Sequence, residues 1–344
     1  MKILLYLIFA LCIIVVLFSC KKTTQTYKFN LTNNPNFPSY LFVPVTINNN
    51  PYSFLFDTGT ELTLIDSFAS KTGLNTDKKT FITLQTANST KISDSVGCAK
   101  LNYSIDNFHS KGIFYVLGRE QAKIINKVGA EAILGMDKIK QFNWLFNFAD
   151  SMITFSKDKI ELPALPDDKI LTLDFYTKPG GGTNMNITLD GQCFQDILFD
   201  TGFETFFSFF GKEQSIDIIF NEPDFTAYRI KQGAVIGMDT DTGLVSLIDS
   251  IQINDFKMHS IVATKNPKVV TNTIITANFV RRFRMMYFDS KNRKIQLYVS
   301  PSDSARYERK DIQEFIKTYL PRIQENNGDT VEIKTSEVEK LIHR

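Results

Sequence analysis

The feature that most constrains the fold of this 344-residue chain is a pattern that occurs twice. In the first half, β-prone residues 40–56, interrupted by an Asn- and Pro-containing turn, lead into Asp-Thr-Gly at 57–59. In the second half, residues 185–199, interrupted by an Asp-Gly turn, lead into Asp-Thr-Gly at 200–202. β-branched and aromatic residues favour strands, whereas Asn, Asp, Gly and Pro favour turns. The same strand-turn-strand unit at two places, 143 residues apart, predicts an internal repeat.

A second marker has nearly the same spacing. Residues 132–135 (Ala-Ile-Leu-Gly) are followed seven residues later by Phe142, and residues 273–276 (Thr-Ile-Ile-Thr) are followed seven later by Phe283. The offset between these two segments is 141 residues. Because two independent markers agree, we expect a duplicated, mainly β fold with two related lobes.

The repeat sets the predicted domain boundaries. The lobes are expected at 28–157 and 171–300, joined by a connector at 158–170 that contains Pro and many charges. Residues 301–344 form a charged C-terminal extension. Within it, the spacing of apolar residues over 310–320 predicts a short amphipathic helix.

Residues 1–20 have the features of a targeting segment. Lys2 precedes an apolar run over 3–18, which is short for a membrane-spanning helix of about 20 residues. The run ends in Leu-Phe-Ser-Cys, which resembles the lipobox of bacterial lipoproteins. That resemblance implies a signal peptide at 1–20, a diacylated Cys20, a tether at 21–27 and a lipid-anchored protein of the bacterial cell envelope. The alternative is an uncleaved signal anchor.

Composition excludes several function classes. The chain has 39 Lys and Arg against 37 Asp and Glu, so its charge gives no argument for nucleic acid as a partner. With three His and four Cys there is little material for a metal site, and neither a metal nor another cofactor is expected. The motifs Gly-x-Ser-x-Gly and His-Glu-x-x-His do not occur. Cys98 and Cys193 are predicted to be buried free thiols, with one disulfide as the alternative.

The position of the two motif aspartates points to acid–base chemistry. Each follows an apolar strand, where a carboxylate is unfavourable unless it is paired or hydrogen-bonded. Two carboxyl groups brought together by a twofold repeat would share one proton. One of them could then act as a general base on water while the other, protonated, polarises a carbonyl group.

With these motifs the chain resembles the pepsin-like and retropepsin-like aspartic proteases, in a duplicated single-chain form. The resemblance spans about residues 30–300 and implies an all-β, bilobal fold with two pseudo-twofold-related, β-barrel-like lobes and a peptide-binding cleft between them. It implies an endopeptidase, expected as a monomer, that acts on a peptide or protein substrate. The residues that it assigns to the site are the catalytic Asp57 and Asp200, and the supporting Thr58, Gly59, Thr60, Thr201, Gly202, Ile133, Leu134 and Gly135.

The second half departs from the family pattern at two positions. Phe203 stands where the family has Ser or Thr, whose hydroxyl bonds the catalytic carboxylate, and where the first half has Thr60. Thr276, or Ala277 if the alignment shifts by one, replaces the packing glycine Gly135. An alternative function is therefore a catalytically weak or inactive lipoprotein that binds peptides or cell-envelope material on the same fold.

Four further segments can be interpreted from their sequences. Residues 83–96 are the predicted flap hairpin, and a third Asp-Thr-Gly at 241–243 is interpreted as a tight turn on the corresponding hairpin of the second half. The Gly run at 180–182 is interpreted as a flexible entry to the second lobe. The arginines over 281–284 are interpreted as a solvated face.

Overall fold

A computed structural model of the chain describes residues 25–34, 37–66, 78–85, 91–118, 125–126, 129–163, 166–178, 182–203, 209–211, 228–232, 241–265 and 273–299. The predicted signal peptide with Cys20 and the predicted C-terminal helix lie outside these residues. No helix in the described part of the chain is both long enough and apolar enough to cross a membrane.

The regular structure is almost entirely β. The first half contains β1 (Thr26–Asn30), β2 (Thr32–Asn34), β3 (Phe37–Ile47), β4 (Asn50–Phe56), β5 (Leu64–Asp66), β6 (Lys78–Gln85), β7 (Lys91–Ile105), β8 (Phe108–Leu117), β9 (Ala132–Leu134), helix α1 (Met136–Ile139), β10 (Asn143–Asn147) and β11 (Met152–Ser156). The second half contains β12 (Lys169–Thr177), β13 (Thr183–Leu189), β14 (Gln192–Asp200), β15 (Phe209–Gly211), β16 (Tyr228–Gln232), β17 (Asp241–Ile253), β18 (Phe256–Lys265), β19 (Ile274–Thr276), helix α2 (Ala277–Arg281), β20 (Met285–Asp289) and β21 (Lys294–Val299).

The strands form two sheets, and one of these sheets also contains the strands that join the two lobes. The first lobe has an eight-stranded sheet in the order β2-β3-β4-β9-β5-β8-β7-β6. A 13-stranded sheet contains the second lobe and begins β1-β11-β10-β20-β21-β12. In these first six strands, β10 of the first half pairs with β20 of the second, with Trp144 opposite Phe288. The all-β, bilobal fold expected from the sequence is confirmed.

The two halves repeat the same local topology around their Asp-Thr-Gly segments. Strand β9 lies parallel to β4, with Leu134 opposite Phe56, and β19 lies parallel to β14, with Thr276 opposite Asp200. The Asp57 N–H donates to the Leu134 carbonyl, at 3.0 Å, so Asp57 lies beside the Leu134–Gly135 step. Thr276, not Ala277, therefore occupies the position of Gly135. Both residues are the extended N-cap of a short helix.

The joining strands are packed by aromatic side chains. The Phe56 ring lies 5.2 Å from Trp144, 4.8 Å from Phe146 and 6.5 Å from Phe288. All four are essentially inaccessible to solvent. Because Phe56 immediately precedes Asp57, this aromatic core packs against the backbone that leads into the first motif aspartate. Truncating a ring of this size in such a core costs about 3–5 kcal/mol of stability.

The arginines over 281–284 are not a solvated face, which corrects the interpretation from the sequence. Arg282 and Arg284 are buried. Arg284 forms an ion pair with Asp168 in the predicted connector and donates to the Pro163 carbonyl. Arg281 donates to the Tyr40 carbonyl of the first lobe, at 2.8 Å. A guanidinium group has five donors and a flat face, so it can join elements in this way inside a protein.

Arg281 also stacks on an aromatic ring of the first half. Its guanidinium carbon lies 4.9 Å from the centre of the Phe148 ring. Arg281 of the second half therefore contacts the first half at two places, Tyr40 and Phe148.

Both cysteines of the protein body are free, but only one is shielded from solvent. Cys98 is half-buried and Cys193 is exposed, so the prediction that both thiols are buried is wrong for Cys193. Cys193 follows the turn that opens β14, and the next residue, Phe194, takes the inward position. The predicted domain boundaries stay predictions. Strand β1 begins at Thr26, inside the predicted tether, and β12 begins at Lys169, inside the predicted connector.

Candidate active site

The two Asp-Thr-Gly segments meet between the lobes, and their threonines bond each other's loops. We call residues 57–63 the first loop and residues 200–203 the second loop. The Thr58 hydroxyl donates to the Phe199 carbonyl and the Thr201 hydroxyl donates to the Phe56 carbonyl, both at 2.6 Å. The Thr58 N–H donates to Thr201 Oγ1 at 3.2 Å, and the Thr201 N–H donates to Thr58 Oγ1 at 3.1 Å. Both threonines are fully buried, so each loop holds the other in a near-symmetric arrangement.

The glycines of the motif leave room for the opposite carboxyl group. A methyl group added to Gly59 would lie 2.2 Å from Asp200 Cγ, and one added to Gly202 would lie 2.2 Å from Asp57 Cγ. A side chain at either position would displace the opposite carboxyl group. The two carboxyl groups face each other across this gap, and a side-chain hydrogen bond joins them.

Backbone N–H groups bond both carboxylates in the same way. Asp57 Oδ1 accepts from the Gly59 N–H at 2.8 Å and from the Thr60 N–H at 3.0 Å. Asp200 Oδ1 accepts from the Gly202 N–H at 2.9 Å; the Phe203 N–H donates to the Asp200 backbone carbonyl at 3.4 Å and also lies close enough to the carboxyl group to lower its pKa. Thr60 makes this contact through its backbone. Phe203 can therefore act on the Asp200 carboxyl group through its backbone despite having no hydroxyl group.

The site raises the pKa of both aspartates. Burial raises the pKa of Asp57 to about 6, against the opposing effect of hydrogen bonds from Gly59, Asp200 and Thr60. The pKa of Asp200 lies well above its usual value of 3.8, chiefly through burial and then through the negative charge of Asp57. The hydrogen bond with Asp57 raises it further. These shifts mean that the pair holds a proton at a pH where an ordinary aspartate is ionised, and the charge of Asp57 directs that proton towards Asp200.

The predicted support residues pack directly beneath the first loop. A methyl group on Gly135 would lie 2.4 Å from the Leu62 carbonyl oxygen, so the loop passes against the bare backbone at this glycine. The Met136 N–H donates to the Thr60 carbonyl at 2.9 Å. Ile133 and Leu134, the other predicted support residues, are both buried.

The second loop has a related support. The Ala277 N–H donates to the Phe203 carbonyl at 3.2 Å, which corresponds to the bond between Met136 and Thr60 in the first lobe. Thr276 is fully buried at the position of Gly135. The residues that would correspond to Leu62 and Thr63 lie outside the described part of the second lobe.

Among the contacts between the lobes that sequence reasoning missed, one lies at the first loop. A methyl group on Gly182 would lie 2.4 Å from the Thr58 carbonyl oxygen, and the next residue, Thr183, donates its N–H to that oxygen at 2.7 Å. Gly182 is buried against the first loop, so it does not form part of a flexible entry. The repeat gave a partial signal for this position. Gly182 precedes Asp200 by the same interval that separates Ser39 from Asp57, so Gly182 and Ser39 are equivalent in the repeat.

Two of the sequence predictions concern hairpins. The predicted flap lies on β6 and β7, which pair antiparallel with Gln85 opposite Lys91. The third Asp-Thr-Gly begins β17, which pairs with β16 in the corresponding hairpin. It lies within a strand, with Gly243 opposite Ile230, so its interpretation as a tight turn is wrong. Pairing with β16 keeps these residues extended.

The charge cluster of the site consists of two carboxyl groups. Over the residues that the structure describes, no group of three or more His, Cys, Asp or Glu side chains is placed to hold a metal ion. The arrangement can hold one proton between two acids, which is the requirement for activating a water molecule.

An all-β, bilobal chain whose two Asp-Thr-Gly loops face each other in this way has the architecture of an aspartic protease. A family model described as "Aspartyl protease" matches residues 43–137, which run from β3 through the first loop to α1. Residues 43–137 therefore match an aspartyl protease family, of the retropepsin-like type. No curated protein matches the chain.

Proposed function

We propose that this protein is an aspartic endopeptidase that hydrolyses peptide bonds with a water molecule activated between Asp57 and Asp200. The observation that carries the proposal is the position of the two motif carboxyl groups, each of which lies against the glycine of the other motif. The family match supports aspartic protease function in general. The roles of the individual residues rest on the geometry described above.

The different pKa values of the two aspartates give them different roles. The Asp57 carboxylate takes a proton from water while the water oxygen bonds to the carbonyl carbon of the substrate. Asp200 gives its proton to the carbonyl oxygen, which yields a neutral tetrahedral diol. Asp57 then returns its proton to the leaving nitrogen, the C–N bond breaks, and a hydroxyl group of the diol returns a proton to Asp200. Each cycle consumes one water molecule and restores the dyad.

The substrate is proposed to be a peptide or an exposed protein segment in extended form. An extended main chain can hydrogen-bond to a neighbouring hairpin, and the hairpin of β6 and β7 is the proposed partner. Recognition through main-chain bonds admits many sequences, so side-chain pockets would set the preference.

The alternative function is a lipoprotein on the same fold that binds peptides or cell-envelope material with little or no turnover. Phe203 favours this alternative, because it cannot offer the hydroxyl group that the family supplies at this position. The Phe203 backbone N–H nevertheless lies close enough to the Asp200 carboxyl group to lower its pKa, and the Thr60 N–H bonds Asp57. We therefore favour turnover.

The test is cleavage of a peptide library by the protein and by Asp57→Asn and Asp200→Asn. Each substitution replaces a carboxyl group by an amide of nearly the same size, which cannot exchange the proton. We expect both variants to lose cleavage. Asp255→Asn, at an exposed turn, is the matched control and should cleave like the natural chain. Unchanged cleavage in either dyad variant would exclude the dyad mechanism. Peptide binding without cleavage between about pH 3 and 8, a range that spans the usual carboxyl pKa values, would favour the alternative.

The proposed location is the bacterial cell envelope, with a monomeric protein held through a lipid on Cys20. The support is the resemblance of residues 17–20 to a lipobox and the apolar run before them. Two acyl chains anchor a protein stably, whereas one chain binds only reversibly. Labelled fatty acid should enter the natural chain and not Cys20→Ser. Equal labelling of both would exclude Cys20 as the lipid site.

A further inference from the structure

Helix α1, which supports the first loop, carries an ion pair at two positions that helix α2 fills with uncharged residues. In α1, Asp137 Oδ2 lies 2.7 Å from Lys138 Nζ. The corresponding residues after Thr276 are Asn278 and Phe279. Phe279 is fully buried, and its ring lies 5.3 Å from that of Phe283. The second lobe thus has an apolar contact where the first lobe has a cation.

The carboxylate of this ion pair holds a residue of the first loop. The Thr63 hydroxyl donates to Asp137 Oδ1 at 2.5 Å and accepts the Gly135 N–H at 3.1 Å. Thr63 is fully buried, so its hydroxyl depends on these partners. Asp137 is also bonded through its backbone, since its N–H donates to the Glu61 carbonyl at 2.8 Å. Helix α1 therefore bonds the first loop at Glu61 through its backbone and at Thr63 through the Asp137 side chain.

The cation of the pair is buried against an outer strand. The Lys138 side chain is 9% exposed, and its Nζ donates to the Ile113 carbonyl of β8 at 3.1 Å. The ammonium group also lies 5.5 Å from the centre of the Phe114 ring. Gly112 leaves room for the stem of the lysine, because a methyl group there would lie 2.9 Å from Lys138 Cε. Three consecutive residues of β8, at 112–114, therefore contact the Lys138 side chain.

These contacts form a continuous link from β8 to the catalytic loop. It runs from the Ile113 carbonyl to Lys138, to Asp137, and to Thr63 in the loop that begins at Asp57. The loss of one partner from a buried ion pair leaves the other charge uncompensated, and that charge then moves towards water. Without the ammonium group, Asp137 would turn outwards and release the Thr63 hydroxyl.

We propose that Lys138 is a positioning residue for the first loop, which it fixes through Asp137 and Thr63 so that Asp57 faces Asp200. This inference rests on the proposed peptidase function and deepens it. Lys138 does not touch the reacting atoms. It gives the first half of the dyad a charged support, whereas the apolar side chain of Phe279 fills the corresponding place in the second lobe.

The principal variant is Lys138→Met, which keeps the stem and removes the ammonium group. We expect kcat to fall about tenfold with KM nearly unchanged, because the geometry of the dyad changes while the substrate surface stays the same. Lys138→Arg, which keeps the positive charge, should recover most of the lost rate. Lys140→Met is the matched control. It makes the same substitution at the exposed residue that directly follows the helix and should leave kcat unchanged.

A double-mutant cycle with Thr63→Val tests the route of the effect. If Lys138 acts through the Thr63 hydroxyl, Lys138→Met should add little to the loss already caused by Thr63→Val. Multiplicative losses would mean independent actions and would overturn the proposed link. Thermal unfolding of each variant shows whether it is folded. If Thr63→Val does not fold, Thr63→Ser, which keeps the hydroxyl group, should still show the full effect of Lys138→Met.

The outcomes separate this inference from the proposed function. If the natural chain and Lys138→Met cleave peptide with the same kcat, the positioning role is excluded and the dyad is unaffected. If the natural chain cleaves no peptide, the proposed function fails. The affinity for a statine-containing peptide, which imitates the tetrahedral diol, then tests the link without turnover. Lys138→Met should weaken it about tenfold relative to Lys140→Met, and equal affinities would exclude the link.

Discussion

The first and second loops have nearly the same backbone, yet they are supported by different chemistry. In both loops, the backbone N–H of the glycine bonds the aspartate, that glycine admits the opposite carboxyl group, and a threonine bonds across the interface. Behind the first loop lie a bare glycine and an ion pair. Behind the second lie a threonine and a phenylalanine. The comparison shows that the two halves are alike in the groups that meet at the two aspartates and differ in the residues packed behind them.

The largest effect is expected where the loops are most alike. Gly59→Ala and Gly202→Ala each place a methyl group where the opposite carboxyl group lies, at 2.2 Å from its Cγ atom. We expect each variant to lose kcat/KM by about 100-fold or more, because small misplacements of reacting groups have effects of that size. Peptide cleavage measures it. A large loss in only one of the two variants would break the symmetry of the comparison.

The next effect concerns the contact at Gly182. Gly182→Ala would push a methyl group to 2.4 Å from the Thr58 carbonyl oxygen, which is backbone and cannot move alone. Overpacking of this kind costs about 1–3 kcal/mol of stability. Denaturant unfolding measures that loss, and cleavage should fall as well. Unfolding at the natural midpoint would show that the lobes can shift without penalty.

The difference between Thr60 and Phe203 predicts a smaller change. Phe203→Thr would offer Asp200 a hydroxyl donor, and a hydrogen bond to the charged form lowers the pKa of a carboxyl group. Activity requires Asp200 protonated, so the alkaline limb of the pH–rate profile should move down by about one pH unit. The reciprocal substitution Thr60→Val keeps the backbone N–H that bonds Asp57 and should leave the profile almost unchanged. An unmoved alkaline limb in Phe203→Thr would contradict the assignment of the proton to Asp200.

The smallest expected effect is on stability. The pKa of Asp57 is about 6 in the folded protein, above the value of 3.8 that applies when the chain is unfolded. A carboxyl group with a raised pKa favours the folded state below pH 3.8, and this contribution is lost as the pH rises through about 6. The melting temperature should therefore fall between these values. The fall should be smaller in Asp57→Asn, and an equal fall in both proteins would place the titrating group elsewhere.

The sequence predicted those parts of the molecule that local patterns determine. Strand propensity, turn residues and the repeat identified both aspartates, and the offset between residues 135 and 276 agrees with the strand register. These features are encoded within short segments, and the repeat supplies an internal check. The support beneath the first loop was predictable for the same reason, since residues 133–135 form one recognisable element.

The sequence could not predict contacts between distant segments. Nothing local shows that β10 pairs with β20, that Gly182 lies against Thr58, or that Arg281 crosses to Tyr40. The same limit applies to Lys138, whose burial depends on the space that Gly112 leaves on β8. In each case the partner is chosen by three-dimensional packing, and residue type alone gives the opposite expectation, of flexibility or of solvent exposure.

The central claim is that two carboxyl groups hold one proton in unequal shares. The most direct measurement is an NMR titration of the protein with carboxyl-labelled aspartate, in which Asp57→Asn and Asp200→Asn assign the two signals. The account predicts that one signal titrates near pH 6 and that the other also titrates well above 3.8, the value of an ordinary aspartate. Two independent titrations near pH 3.8, the value of an ordinary aspartate, would contradict it.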